Sequence, residues 1–184
     1  WHQMGVILAA TDALNWYAGL VGADAAQLTG ELGNLQAPGK TVFLPYLGGE
    51  RTPLNSASVR GAFTGLEHAT DRKAATRAVL EGVTFAIRDS RDALATTGTK
   101  LENLLAVGGG TRSDYWLRLI ATALDCPVQL PVAGDFGGAF GAARLSGASD
   151  RPTDVLVRVV QPDIPQEDKW TQSAFQSIVR KYVS

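Results

Sequence analysis

The chain has 184 residues, 45% of them apolar, and a formal net charge of −1. This is the size and composition of one globular domain with a real core, or of two small ones. The near-zero charge removes the electrostatic case for nucleic acid or an anionic membrane surface, and no apolar run approaches the roughly 20 residues that span a bilayer.

The chain opens on Trp1-His2-Gln3-Met4, without an initiating methionine and without the basic start and apolar stretch of a signal peptide. This has the look of a cut inside a longer chain. Gly5 to Leu20 reads as a buried strand or turn followed by a helix, with Thr11 or Asp12 as cap and Leu14, Trp16, Tyr17 and Leu20 packing inward. Gly22 to Gly39 is polar and glycine-rich, with a short helix around Ala23 to Leu28. Thr41 to Leu47 predicts a buried strand that ends near Pro45. The loop Gly48-Gly49-Glu50-Arg51-Thr52-Pro53-Leu54-Asn55 is dense in turn formers. Arg51 is there either solvated on a surface turn or, with Glu50, facing a cleft. Arg60 to Leu66 is a short edge strand or hairpin arm.

A long helix follows, capped by Thr70 or Asp71 and reaching about Thr97. Val79, Val83, Ala86, Ile87, Ser90 and Leu94 share one face. The pairs Arg77–Glu81 and Arg88–Asp92 stand four apart on other faces. Gly82 inside this helix predicts a close approach by another element, and Gly98 suits its C-terminal cap.

Leu101 to Ala143 is the centre of the chain. A short apolar run, Leu104 to Val107, meets Gly108, Gly109 and Gly110. An amphipathic helix then runs to Leu124, with Ser113 as N-cap and Trp116, Leu117, Ile120 and Leu124 buried. A helix start leaves amide N–H groups without intrahelical partners, and glycines before it let an anion or a planar ring reach the backbone. Either a nucleotide or phosphate sits at Gly108–Gly110, or the triplet is a plain tight turn. Val128 to Pro131 is a short strand. Beyond it come a slim helix, Gly138 to Gly147, and a proline-punctuated stretch, Arg151 to Gln166. A closing amphipathic stripe, Trp170 to Tyr182, leaves a homodimer open.

His2 and His68 lack ligand spacing, so no metal site is expected from them. Cys126 is the single cysteine, without a partner base or CxxC mate. It reads as a core thiol, in keeping with a cytoplasmic setting. HExxH, GxSxG and GxxxxGK(S/T) are all absent. The dinucleotide fingerprint also fails: Ser113 stands where its third glycine belongs, and Gln129 takes the place of the ribose-binding acid.

Several segments resemble landmarks of the FGGY carbohydrate kinases, in the same order. LLAVGGGTRSDYWLRLIATALDCPV is similar to the family's adenosine-binding segment, and GDFGGAFGAARL to the small-residue helix after it. FLPYLGGERTPLN, RGAFTGLEHAT and RAVLEGVTFAIRD match further landmarks, and WHQMGVILAATDALNWY resembles the opening of the C-terminal half. The wording is nearest to that of xylulokinases. The resemblance implies an α/β, actin-like ATPase (ribonuclease-H-like) fold with a mixed sheet flanked by helices. It makes residues 1–184 the C-terminal ATP-binding domain of a two-domain sugar kinase. ATP, with Mg²⁺, would phosphorylate a sugar hydroxyl, D-xylulose by the nearest wording, another ketose or polyol otherwise. The sugar would be held mainly by an N-terminal domain outside this sequence, which also carries the general-base aspartate. No catalytic residue is therefore assigned here, and Asp12, Asp114 and Asp135 are not put in that role. The nucleotide-binding residues implied are Gly108, Gly109, Gly110, Ser113, Asp114 and Asn15. The competing expectation is a non-catalytic interaction module that keeps the fold and has lost the nucleotide.

Overall fold

A computed structural model of the chain describes residues 3–131. The expected slim helix Gly138–Gly147, the proline-punctuated stretch and the Trp170–Tyr182 stripe lie outside the described residues. In chain order the elements are α1 (Thr11–Leu20), α2 (Ala25–Gly30), β1 (Val42–Leu44), β2 (Ala62–Thr64), α3 (Arg72–Ala95), β3 (Leu104–Leu105), a 3₁₀ turn (Gly109–Arg112), α4 (Asp114–Leu124) and β4 (Val128–Gln129). The arrangement is α/β. β1 runs antiparallel to β2 with Phe43 opposite Phe63, and β3 runs parallel to β4 with Leu104 opposite Val128. Among the described residues no helix is long and apolar enough to cross a membrane.

The 24 residues of α3 form the spine. Asp71 is its N-cap, accepting from the Ala74 N–H at 2.8 Å, so the second of the two expected caps is the one used. Thr70 instead accepts from the Glu67 N–H at 2.9 Å. The buried face differs from the expected stripe: Val79, Val83, Ala86 and Ser90 are joined by Thr76, Leu80 and Thr84, while Ile87 and Leu94 are only partly covered. Each fully buried valine or leucine there contributes about 1.5–3 kcal/mol. Glu81 is buried as well, 3.4 Å from Arg77. Burial pushes its carboxyl above the usual range, against the pull of Arg77 and a Gly39 backbone hydrogen bond. The C-cap is Thr96 and not the expected Gly98; two residues further on, Gly98 takes φ +89° and donates to the Ala95 carbonyl at 3.0 Å, a left-handed turn that favours glycine.

β1 crosses α3 at Gly82. A Cβ on Gly82 would overlap the Phe43 carbonyl oxygen, so the absent side chain is what lets the strand backbone lie on the helix. Phe43 fills the core between them, 4.6 Å from the Phe63 ring and 5.9 Å from Trp16. The expected seven-residue buried strand is only three residues long, with Phe43 buried and Val42 and Leu44 exposed. Only one face of β1 is covered, so alternate side chains look outward.

α1 differs from expectation at two packing positions. Ala13, Leu14, Tyr17 and Ala18 are its buried residues, while Trp16 is 41% and Leu20 67% exposed. Trp16 lies off the arc through residues 13, 14, 17 and 18 at 100° per residue, whereas Leu20 sits at the edge of that arc and is exposed as the last residue of the helix. Neither Thr11 nor Asp12 caps the helix: Ala10 is the N-cap position and makes no side-chain bond, and Asp12 lies in the first turn, where it suits the helix dipole. The short helix after it is displaced by two residues from expectation, because Asp24 caps it by accepting from Ala26 and Gln27. α2 is tied to α3 by Leu28 in the core and by Glu31, 2.6 Å from Arg72. The Arg72 guanidinium holds the Glu31 carboxyl below the usual carboxylate range.

Gly82→Ala is expected to destabilise the domain by about 3 kcal/mol or more, since a backbone carbonyl cannot move aside as a side chain can. Urea denaturation followed by tryptophan fluorescence measures this; an unchanged midpoint would contradict the close approach.

Candidate functional site

The 3₁₀ turn and the first turns of α1 and α4 meet α2 around a cleft of about 580 Å³, within the ~300–1,000 Å³ typical of small-molecule pockets. The glycine triplet forms one rim, and its three members differ. Gly108 has φ +97° and ψ 178°, a region open essentially to glycine alone. Its carbonyl accepts from the Thr111 hydroxyl at 2.7 Å and the Thr111 N–H at 3.1 Å, which closes the 3₁₀ turn. Gly109 faces open space: a Cβ there would meet no heavy atom within 4 Å. Gly110 is packed: its Cβ would lie 3.0 Å from Thr11 Cγ2 and 3.4 Å from Trp116 Cζ3. The sequence predicts the turn but not that residues 109–112 coil into a 3₁₀ turn before α4.

Ser113 caps α4, accepting from the Trp116 N–H at 3.2 Å. The free amides of the first helical turn thus gather at the cleft with their partial positive charge. Trp116 and Tyr115 line the cleft from below, both buried. Trp116 Nε1 donates to Thr84 Oγ1 at 3.0 Å. Burial pushes the Tyr115 phenol up, with Glu81 adding to the shift and Arg77 opposing it. Leu119 is also buried, whereas the expected Leu117 and Ile120 are only partly covered. The buried arc is rotated toward Tyr115 because α3 covers that side.

Of the six nominated residues, Gly109, Gly110, Ser113, Asp114 and Asn15 line the cleft. Gly108 does not; it shapes the turn that does. Asn15 stands exposed on α1, across from the triplet. Asp114 is exposed, and its carboxylate pairs with Arg118 at 2.9 Å, so its charge is already matched. The α2 wall went unread in the sequence. Ala25, Ala26, Thr29, Gly30 and Gly33 form it, and the signal was a cluster of small residues with no periodic contrast. Asp24, at the same wall, is occupied by its capping bonds at 2.7 and 3.2 Å.

Neither Glu50 nor Arg51 lines this cleft. Arg51 is exposed, as the surface-turn reading has it, but Glu50 is buried. Glu50 Oε1 accepts from the Leu8 N–H at 3.2 Å and the Arg51 N–H at 2.7 Å, pinning the segment before α1 to the loop. Cys126 is a buried free thiol, as expected. Among the described residues no three His, Cys, Asp or Glu side chains converge to hold a metal ion.

The sequence profile of the FGGY family of carbohydrate kinases, C-terminal domain, matches residues 1–149. The chain belongs to this family. The xylulose kinase of Escherichia coli strain K12 is 37% identical over 169 residues, 91% of this chain and 35% of that protein. A solved xyloylose kinase from Brucella ovis is 61% identical with a TM-score of 0.76, over 81% of this chain and 32% of that one. A solved xylulose kinase from Rhodospirillum rubrum is 35% identical with a TM-score of 0.65, over 80% of this chain and 31% of that one. The fold is thus that of the FGGY sugar kinases, the actin-like ATPase architecture expected from the landmarks. The chain spans about a third of the length of the curated relatives it matches.

The three glycines predict three different responses to alanine. Gly108→Ala should lower stability by about 1–3 kcal/mol through backbone strain. Gly110→Ala should lower it by less than about 3 kcal/mol through crowding of Thr11 and Trp116. Gly109→Ala should leave it unchanged within about 0.5 kcal/mol. Thermal unfolding of the three variants checks the order; equal losses at all three positions would contradict this geometry.

Proposed function

We propose that residues 1–184 are the nucleotide-binding, C-terminal domain of an ATP-dependent sugar kinase, working in the cytoplasm with D-xylulose as acceptor. One observation carries the reading: the open backbone at Gly109 and the Ser113-capped start of α4 face Asn15 across a cleft of about 580 Å³. A nucleoside in that cleft would lie against the Gly109 and Gly110 backbone, where no side chain on Gly109 keeps it off. The Asn15 amide offers both a donor and an acceptor to it. Asp114, held by Arg118, contributes at the rim and not as a free acid. The likeness to xylulose kinases supports the acceptor.

Phosphoryl transfer asks little covalent chemistry of the protein and much positioning and exclusion of water. In this reading the domain's part is to grip the nucleotide while a second domain presents the sugar hydroxyl and its base. Mg²⁺ accompanies ATP in the proposal and neutralises phosphate charge. The described residues offer no cluster to hold it, so no step is assigned to this chain through the metal.

Calorimetric titration of the 184-residue chain with ATP–Mg²⁺ should give a dissociation constant in the millimolar range or tighter. Gly109→Ala should weaken it by about tenfold, or about 1.4 kcal/mol, while leaving the fold intact. A coupled assay with D-xylulose should show no turnover by this chain alone. No heat of binding at saturating nucleotide would overturn the reading and leave the non-catalytic module standing.

A further inference from the structure

We propose that Thr84 is a positioning residue for the nucleotide: its hydroxyl holds the Trp116 indole under Gly110 and so fixes the glycine rim of the cleft. The inference rests on the nucleotide-binding reading above and adds a residue on α3 that does not line the cleft. Thr84 is 0% and Trp116 3% exposed. The Thr84 hydroxyl donates to the Leu80 carbonyl at 2.7 Å and accepts from Trp116 Nε1 at 3.0 Å. The first bond is an ordinary one for threonine in a helix. The second is the specific one. An indole has a single N–H, and this one is buried, so turning the ring away would leave it unpaired.

Trp116 is therefore held at two points. Its backbone N–H goes to the Ser113 hydroxyl, and its ring N–H goes to Thr84. Between these the ring edge supports Gly110, with Cζ3 and Cε3 at 3.4 and 3.6 Å from where a Gly110 Cβ would stand. Thr11 closes the other side of Gly110 at 3.0 Å. The path from the buried face of α3 to the open backbone of Gly109 thus runs through one hydroxyl and one indole. Packing alone does not call for that hydroxyl, since valine has nearly the same shape; a bond to the indole does.

The test measures ATP–Mg²⁺ affinity of the full 184-residue chain by calorimetry and the indole N–H resonances by nitrogen-15 NMR, with W116F assigning the Trp116 signal. T84V should shift that signal and weaken ATP binding about tenfold, while T84S should keep both within about twofold of the parent. In the W116F background, which has no ring N–H to leave unpaired, T84V should cost no further affinity. That non-additivity would not arise from a general loss of packing. If T84V does not fold, the comparison of W116F with the W116F/T84S double variant carries the test, and a further loss of affinity in the double variant would overturn the proposal. So would a folded T84V that moves the indole signal and binds ATP as tightly as the parent. If the parent chain itself binds no ATP, the nucleotide-binding reading has failed; an indole signal that still shifts in T84V would then separate that failure from an absent Thr84–Trp116 bond.

Discussion

The domain depends on one close contact, the passage of the β1 backbone over α3 at Gly82. A helix of 24 residues with a wide apolar face can hold several elements at once, but only where their backbones come near enough for side chains to interlock. At Gly82 the Phe43 carbonyl occupies the space that any other residue would fill. Phe43 then seats itself against Phe63 and Trp16, in the core that the valines of α3 share. No residue of α3 lines the cleft, yet the helix holds one of its walls. α4 packs on α3 through Trp116, so the glycine turn inherits its place from the core.

Three adjacent glycines do three separable jobs at that turn. Gly108 supplies a backbone conformation, Gly110 a close packing contact, and Gly109 an open approach. In the reading proposed above, only the last bears directly on a nucleotide. A glycine triplet in a sequence therefore says less about binding than the geometry of its middle member.

Much of this was legible in the residues. α3 was readable because its period and its Asp71 cap are local features, though it ends at Thr96, before Gly98. The glycine turn and the Ser113-capped α4 were readable for the same reason, and the ordered landmarks pointed to the FGGY family. What was not legible depends on tertiary cover. The apolar run Thr41 to Leu47 looks buried on both faces, yet α3 covers only one, so the strand is short and Val42 and Leu44 face out. Trp16 and Leu20 are as apolar as Leu14, and nothing local fixes which arc of α1 turns inward. Glu50 looks like a loop acid available for a cleft, but two backbone N–H groups claim it. Thr84 is indistinguishable in the sequence from any helical threonine until the indole of a residue 32 positions away reaches it. The α2 wall is not legible because alanine and glycine carry no pattern to read.

That wall is made of a helix only six residues long. A helix this short does not hold its shape in water by itself; Asp24 at its start, Leu28 beneath it and the Glu31–Arg72 pair are what keep it folded. The opposite wall belongs to α4 and is bolted to the spine. Both sides of the cleft thus hang on α3, α4 through the buried Trp116–Thr84 bond and α2 through Leu28 in the core and an ion pair at the surface.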